Sequence, residues 1–203
     1  MKKILLLSIL LWTGWVSAQA IDLDKENRDP KYVESIVSRS QKIVDKLGIN
    51  DAKVAEDVRN VIANRYFTLN DIYETRDAKV KEIKESDLVG EAKNNALKAA
   101  EDAKDAALYR IHFAFPADLS LFLTEEQIEA VKDGMTYGVL KITYDSHLDM
   151  IPSLKKEEKA QIYAWLKEAR EFAIDAENSD RKHAFFGKYK GRINNYLAKR
   201  GYD

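Results

Sequence analysis

The sequence predicts an all-α, single-domain helical bundle, on three observations. Glycine and proline are scarce, eight and three in 203 residues, roughly 5% where an average protein carries about 12%. Apolar residues recur in steps of three and four over long stretches. Helix-capping residues stand at the ends of those stretches. So few turn formers disfavour a sandwich or barrel of many short strands, and a length near 200 suits one domain with ample material for a core.

Met1-Lys2-Lys3 followed by the apolar run Ile4 to Leu11 and the small residues Ala18 and Ala20 predicts a secretory signal peptide, cut after residue 18 or 20. It is too short and too abruptly polar afterwards to span a membrane, and no later stretch approaches about 20 apolar residues. The expectation is therefore an exported, periplasmic or secreted chain with no transmembrane span after processing. Residues 21–29 read as a loose polar lead-in, and residues 30–203 as the helical domain.

Asp29-Pro30 supplies an N-cap and a proline at the first helical position. Val33, Ile36, Val37, Ile43, Val44 and Leu47 follow at helical spacing, with Gly48 behind them. Asn50 or Asp51 caps a second helix, whose apolar series from Val54 to Ile83 predicts a span of about 52–85, roughly 50 Å at 1.5 Å per residue. Arg65 and Arg76 fall at intervening seam positions. So long a helix needs a partner, and the Ala-rich stretch over about 91–113 is its antiparallel neighbour. Phe115-Pro116 kinks or ends that helix. Thr124-Glu-Glu-Gln127 is a capping box opening a helix that Asp133-Gly134 is expected to keep short. Residues 135–151 contain β-branched and aromatic residues but have no partner strand, and Leu140, Tyr144, Leu148 and Ile151 fit a helix face, which is the preferred reading. Gly134 to Gly138 forms a small-residue junction able to hold an unusual turn, with Asp133 and Tyr137 as polar groups for a pocket. A further amphipathic helix carries Ile162, Trp165, Leu166 and Phe172 and is expected to end near Glu177-Asn178, with Trp165 in its core stripe. Ser179 or Asp180 caps the last helix, which runs to about Arg200.

Charge and composition exclude several functions. The chain holds 33 basic and 34 acidic residues, and cleavage of the signal removes two lysines and no acid. A mildly acidic exported protein is not expected to bind nucleic acid. Without cysteine there is no disulfide, thiolate metal site or cysteine nucleophile. His112, His147 and His183 are far apart and none has a ligand partner four residues on, so no metal and no other cofactor is expected. Asp145 and Asp149 would share a helix face, but Asp145, His147 and Asp149 do not converge on one. No nucleophile elbow, zinc-protease motif or phosphate loop occurs, and no catalytic residue is nominated.

The last helix carries the functional signal. At 100° per residue Phe186, Ile193 and Leu197 form a core stripe. Ala184, Gly187, Gly191 and Ala198 form a nearly bare one. Arg181, Lys188, Arg192 and Lys199 lie within about 20° of one line, bordered by Phe185 and Tyr196, and no acid occurs between residues 181 and 200. Two glycines inside a helix cost about 1 kcal/mol each relative to alanine, which close packing of another helix would offset; approach of a ligand or loop is the other reading. The basic stripe is either a solvated face matched to acids such as Glu168 and Glu171, or an anion site flanked by rings that stack on sugars. Arg181, Phe185, Lys188, Arg192, Asn195 and Tyr196 are its candidate ligand-binding residues.

Asp133-Gly-Met-Thr-Tyr-Gly138, Tyr144, the tail from Phe186 to Leu197 and Gly201-Tyr202-Asp203 resemble an uncharacterised family of exported helical proteins from Bacteroidetes-type bacteria. That family carries a sugar-binding label and is encoded near polysaccharide-degradation genes. The resemblance implies a non-catalytic accessory that binds an oligosaccharide or polysaccharide during polysaccharide use, and the basic stripe makes acidic glycans a candidate class. Leu123-Thr-Glu-Glu-Gln127 with Ile128 and Val131 is also similar to the L-T-x-x-Q signature of small periplasmic helical chaperones and stress adaptors, which implies the alternative of client binding.

Overall fold

The computed structural model describes residues 20–202; the signal segment lies outside them. The described residues form an all-α bundle: α1 (Pro30–Val44), α2 (Ala52–Glu85), α3 (Gly90–His112), α4 (Ala114–Leu119), α5 (Glu125–Met135), α6 (Val139–Met150), α7 (Lys156–Ala173) and α8 (Ser179–Ala198). The long pair α2–α3 falls within a residue of its expected bounds. Arg65 and Arg76 on its seam are spent on ion pairs, Arg65 with Asp175 and Arg76 with Glu101 at 3.2 Å and Glu177 at 3.1 Å.

Local chemistry accounts for the boundaries. The Asp29 carboxylate accepts from the amides of Lys31 and Tyr32, and Asp51 does the same for Lys53 and Val54, satisfying first-turn donors that have no partner within the helix. α3 ends at His112, four residues before Pro116, whose missing N–H leaves the His112 carbonyl without its helical donor. Pro116 itself stands in the first turn of the short α4, where a helix tolerates a residue without an N–H. The Thr124–Gln127 capping box forms as expected. Four boundaries differ. α5 runs through Asp133-Gly134 to Met135, because Gly134 abuts α1: a Cβ there would meet the Ile43 side chain at 3.0 Å. α7 stops at Ala173, short of 177–178. The cap of α8 is Asn178, whose side chain accepts from the Arg181 amide, and α8 ends at Ala198 instead of Arg200. Residues 139–150 are helical, and the junction before them is an unusual turn, with Tyr137 and Gly138 both left-handed at φ 59° and 66°.

The lead-in expected to be loose is laid along α2. Ile21 donates to Asp57 at 2.9 Å and accepts from Asn60 at 2.8 Å; Asp24 and Asp22 bond Asn64 the same way at 2.8 Å each. Arg28 then reaches Asp71 at 2.7 Å across the Phe67 ring. Reading this segment only by its polarity missed that its backbone groups find side-chain partners on α2.

Two apolar clusters meet at the end of α7. One gathers Ile43, Val58, Ile62, Leu119, Val131 and Ile174; the other gathers Leu140, Ile162, Leu166, Ala173, Phe186 and Ile193. The second cluster holds α7 and α8 together as an antiparallel pair whose outer seam faces solvent, and that seam positions the site.

Candidate functional site

On α7, Trp165, Glu168 and Phe172 fall on one face, within about 60° at 100° per residue. On α8 the matching face carries Phe185, Tyr189, Arg192 and Tyr196. Because the helices are antiparallel, these residues meet as rungs. Phe172 and Phe185 stack at 5.7 Å with planes 13° apart. Glu168 pairs with Arg192 at 3.4 Å. Trp165 meets Tyr196 edge-on at 5.0 Å.

A hollow of about 720 Å³ opens beside the last two rungs, between Trp165 and a row of α8 residues: Lys188, Tyr189, Gly191, Arg192, Asn195, Tyr196 and Lys199. Four expected site residues, Lys188, Arg192, Asn195 and Tyr196, therefore share one concavity. Lys188 and Lys199 are exposed and pair with no carboxylate among the described residues. Arg192 is held by both walls: its guanidinium lies 4.5 Å over the Trp165 ring while pairing with Glu168, yet its side chain stays 53% exposed. A guanidinium held over an indole face, with an exposed and therefore weak ionic partner, keeps donors of its planar fork open to solvent. Tyr189 forms the floor. Burial pushes its hydroxyl up to about 12, with the Glu168 carboxylate adding to the effect.

The other candidates are not brought to this hollow. Phe185 lines a neighbouring cleft of about 620 Å³ between α3 and the α7–α8 pair. Arg181 is exposed at the start of α8 and borders neither hollow. Asp133 and Tyr137 line a third concavity, of about 510 Å³, beside α1. There Asp133 is committed to the buried Arg170 at 2.7 Å, and Tyr137 stacks on His183 at 6.0 Å. They are separated from the basic hollow because the Gly134–Gly138 turn faces α1, a relation no local spacing reveals.

One expectation from the sequence is extended here and another corrected. Trp165 packs against the second apolar cluster as expected but is only partly buried, and its outer side also forms a wall of the hollow; its register with Glu168 and Phe172 was the available signal. The bare stripe does not pack against another helix: a Cβ added at Gly187 or Gly191 would meet nothing within 4 Å. Gly191 instead keeps the hollow open.

The histidines and the Asp145–Asp149 face offer no cluster. His147 turns inward to the Thr143 carbonyl at 2.7 Å, and Asp145 pairs with Lys141 at 2.5 Å. His112 is oriented by Asp175 at 2.7 Å in the α3–α7 cleft, and Asp175 is itself anchored by Arg65. Among the described residues no three His, Asp or Glu side chains gather in a way that would hold a metal ion, and no helix is long and apolar enough to cross a membrane.

The fold and this seam define an all-helical bundle with a basic, aromatic-walled surface hollow. The chain belongs to the family described as "Protein of unknown function (DUF3826)", whose model matches residues 33–203. No curated protein matches it.

Proposed function

We propose that this is an exported, non-catalytic accessory protein that binds carbohydrate, with acidic glycans as the preferred class, during polysaccharide use. The observation that carries the reading is the hollow itself. Three cations, Lys188, Arg192 and Lys199, line it with no carboxylate among the lining residues, and aromatic rings form its walls. The similarity of the 133–138 and 186–203 segments to proteins with a sugar-binding label supports it, as does the signal-like amino-terminal sequence. The chaperone alternative rests on a motif that acts here as a helix cap. Thr124 and Gln127 are spent capping α5, and the remaining Gln127 amide donates to the Leu47 carbonyl at 2.9 Å.

Calorimetric titration with oligogalacturonides beside neutral oligosaccharides tests the reading. Binding of the acidic series is expected, and Arg192→Ala should weaken it at least tenfold, about 1.4 kcal/mol. Glu168→Gln should tighten it, because the ligand carboxylate would no longer compete with Glu168 for the guanidinium. Absence of heat and of any thermal shift at millimolar ligand would refute the proposal.

A further inference from the structure

Along the α7–α8 seam the basic hollow is followed by a cleft of opposite character. The cleft is walled by Tyr109 of α3, by Phe113 just after that helix and by Phe172 and Phe185, and its charged lining is mainly carboxylate, Asp105, Glu168, Glu171 and Asp175, with Lys104 and His112 beside them. Rings within the basic hollow are covered by the protein's own cations, Trp165 by Arg192 at 4.5 Å and Tyr196 by Arg200 at 3.7 Å. In the cleft Arg76 covers the Tyr73 ring at 5.4 Å, but Tyr109, Phe113 and Phe172 have no such cover among the described residues and are 69%, 60% and 52% exposed. The carboxylates there already have cationic partners: Glu171 has Lys132 at 3.0 Å, Asp105 has Lys104 at 3.1 Å, and Asp175 has Arg65 and His112. Such carboxylates still accept hydrogen bonds from hydroxyl groups, but a second ligand carboxylate would face them without a free counter-ion. The cleft therefore suits an uncharged polar ring with an apolar face.

The two sites are joined through Glu168, which pairs with Arg192 on one side and lines the cleft on the other. From Glu168 to Phe172 is four residues, about 6 Å along the helix, close to the step from one pyranose to the next. Resting on the glycan reading above, we propose that the seam binds a single extended heteroglycan, with a uronate seated on Arg192 and the adjoining neutral sugar stacked between Phe172 and the rings of Tyr109 and Phe113. A uniform polyuronate would place a charge in the acidic cleft and bind less well.

The test compares tetragalacturonate with two alternating tetrasaccharides, glucuronate–N-acetylglucosamine and galacturonate–rhamnose, by calorimetry on the mature chain. At least one alternating ligand should bind tenfold or more tightly than tetragalacturonate. Phe172→Ala and, on the opposite wall, Tyr109→Ala should each erase that advantage by weakening the alternating ligand at least tenfold more than tetragalacturonate. Their thermal unfolding confirms that both variants are folded. Arg192-dependent tetragalacturonate binding with no gain for either alternating ligand, or a gain that survives both variants, overturns this inference and leaves the glycan reading standing. Failure of every uronate ligand to bind overturns both.

Discussion

Lys182 lies on the buried face of α8, about 100° round from the basic stripe, and its charge makes the fold's stability depend on pH. The residue is 5% exposed. Its ammonium donates to the Met135 carbonyl at 3.1 Å, sits 5.8 Å over the Tyr66 ring, and has no ionic partner among the described residues. Burial, with Arg39 and Arg65 opposing the charge and Asp175 only partly offsetting them, lowers its pKa from 10.5 to about 8. Between those values the unfolded chain holds more protons than the native one, so stability rises with pH. Below pH 8 both states are charged and the full cost of burying the ammonium is present. At 1.36 kcal/mol per unit the shift corresponds to about 3 kcal/mol, of which 2 to 3 kcal/mol falls roughly between pH 7 and 10. Lys182→Met keeps most of the volume and removes the charge. It also strands the Met135 carbonyl, at a cost of about 1 kcal/mol that does not vary with pH. Urea unfolding of both proteins at pH 7, 8, 9 and 10 isolates the effect, since tyrosine ionisation is common to both and cancels. The wild type should gain on the variant by about 2 kcal/mol or more from pH 7 to 10. A difference that stays flat over that range would show that Lys182 titrates normally, through water or a carboxylate reaching it, and the argument from burial would be wrong.

Gly187→Ala and Gly191→Ala should each stabilise the chain by about 0.5–1 kcal/mol in thermal unfolding, because both positions are helical and open; Gly191→Ala should also weaken acidic-glycan binding by shallowing the hollow. Acid sensitivity should trace in part to Glu129, whose carboxylate Arg170 and Lys167 hold down to about 2 against the burial that opposes them. Its contribution is complete above the ordinary value of 4.5 and is lost as pH falls from there toward 2. Glu129→Gln should therefore lower stability at pH 7 and make the loss between pH 4.5 and 2 shallower in acid titration followed by circular dichroism.

Sequence alone determined the elements whose causes are local. Asp29, Asp51 and Thr124 sit next to the amides they cap, so the starts of α1, α2 and α5 were legible. The α2–α3 pair followed from periodicity and from the length of helix that must be covered. The basic line on α8 followed from one helical repeat. Tertiary structure alone decided what those residues meet. The continuation of α5 past Gly134 depends on Ile43, ninety-one positions earlier in the chain, and the anchoring of residues 21–28 depends on side chains of α2 some forty positions away. Whether Gly187 and Gly191 faced a helix or solvent, and whether Trp165 was core alone or also wall, turned on the antiparallel register of α7 and α8. That register is set by the interlocking of Leu166, Ala173, Phe186 and Ile193 in the apolar cluster beneath. Periodicity reports which face of a helix is apolar; it carries no information about which neighbour covers that face or how far the cover extends. The hollow exists because the cover ends at the seam.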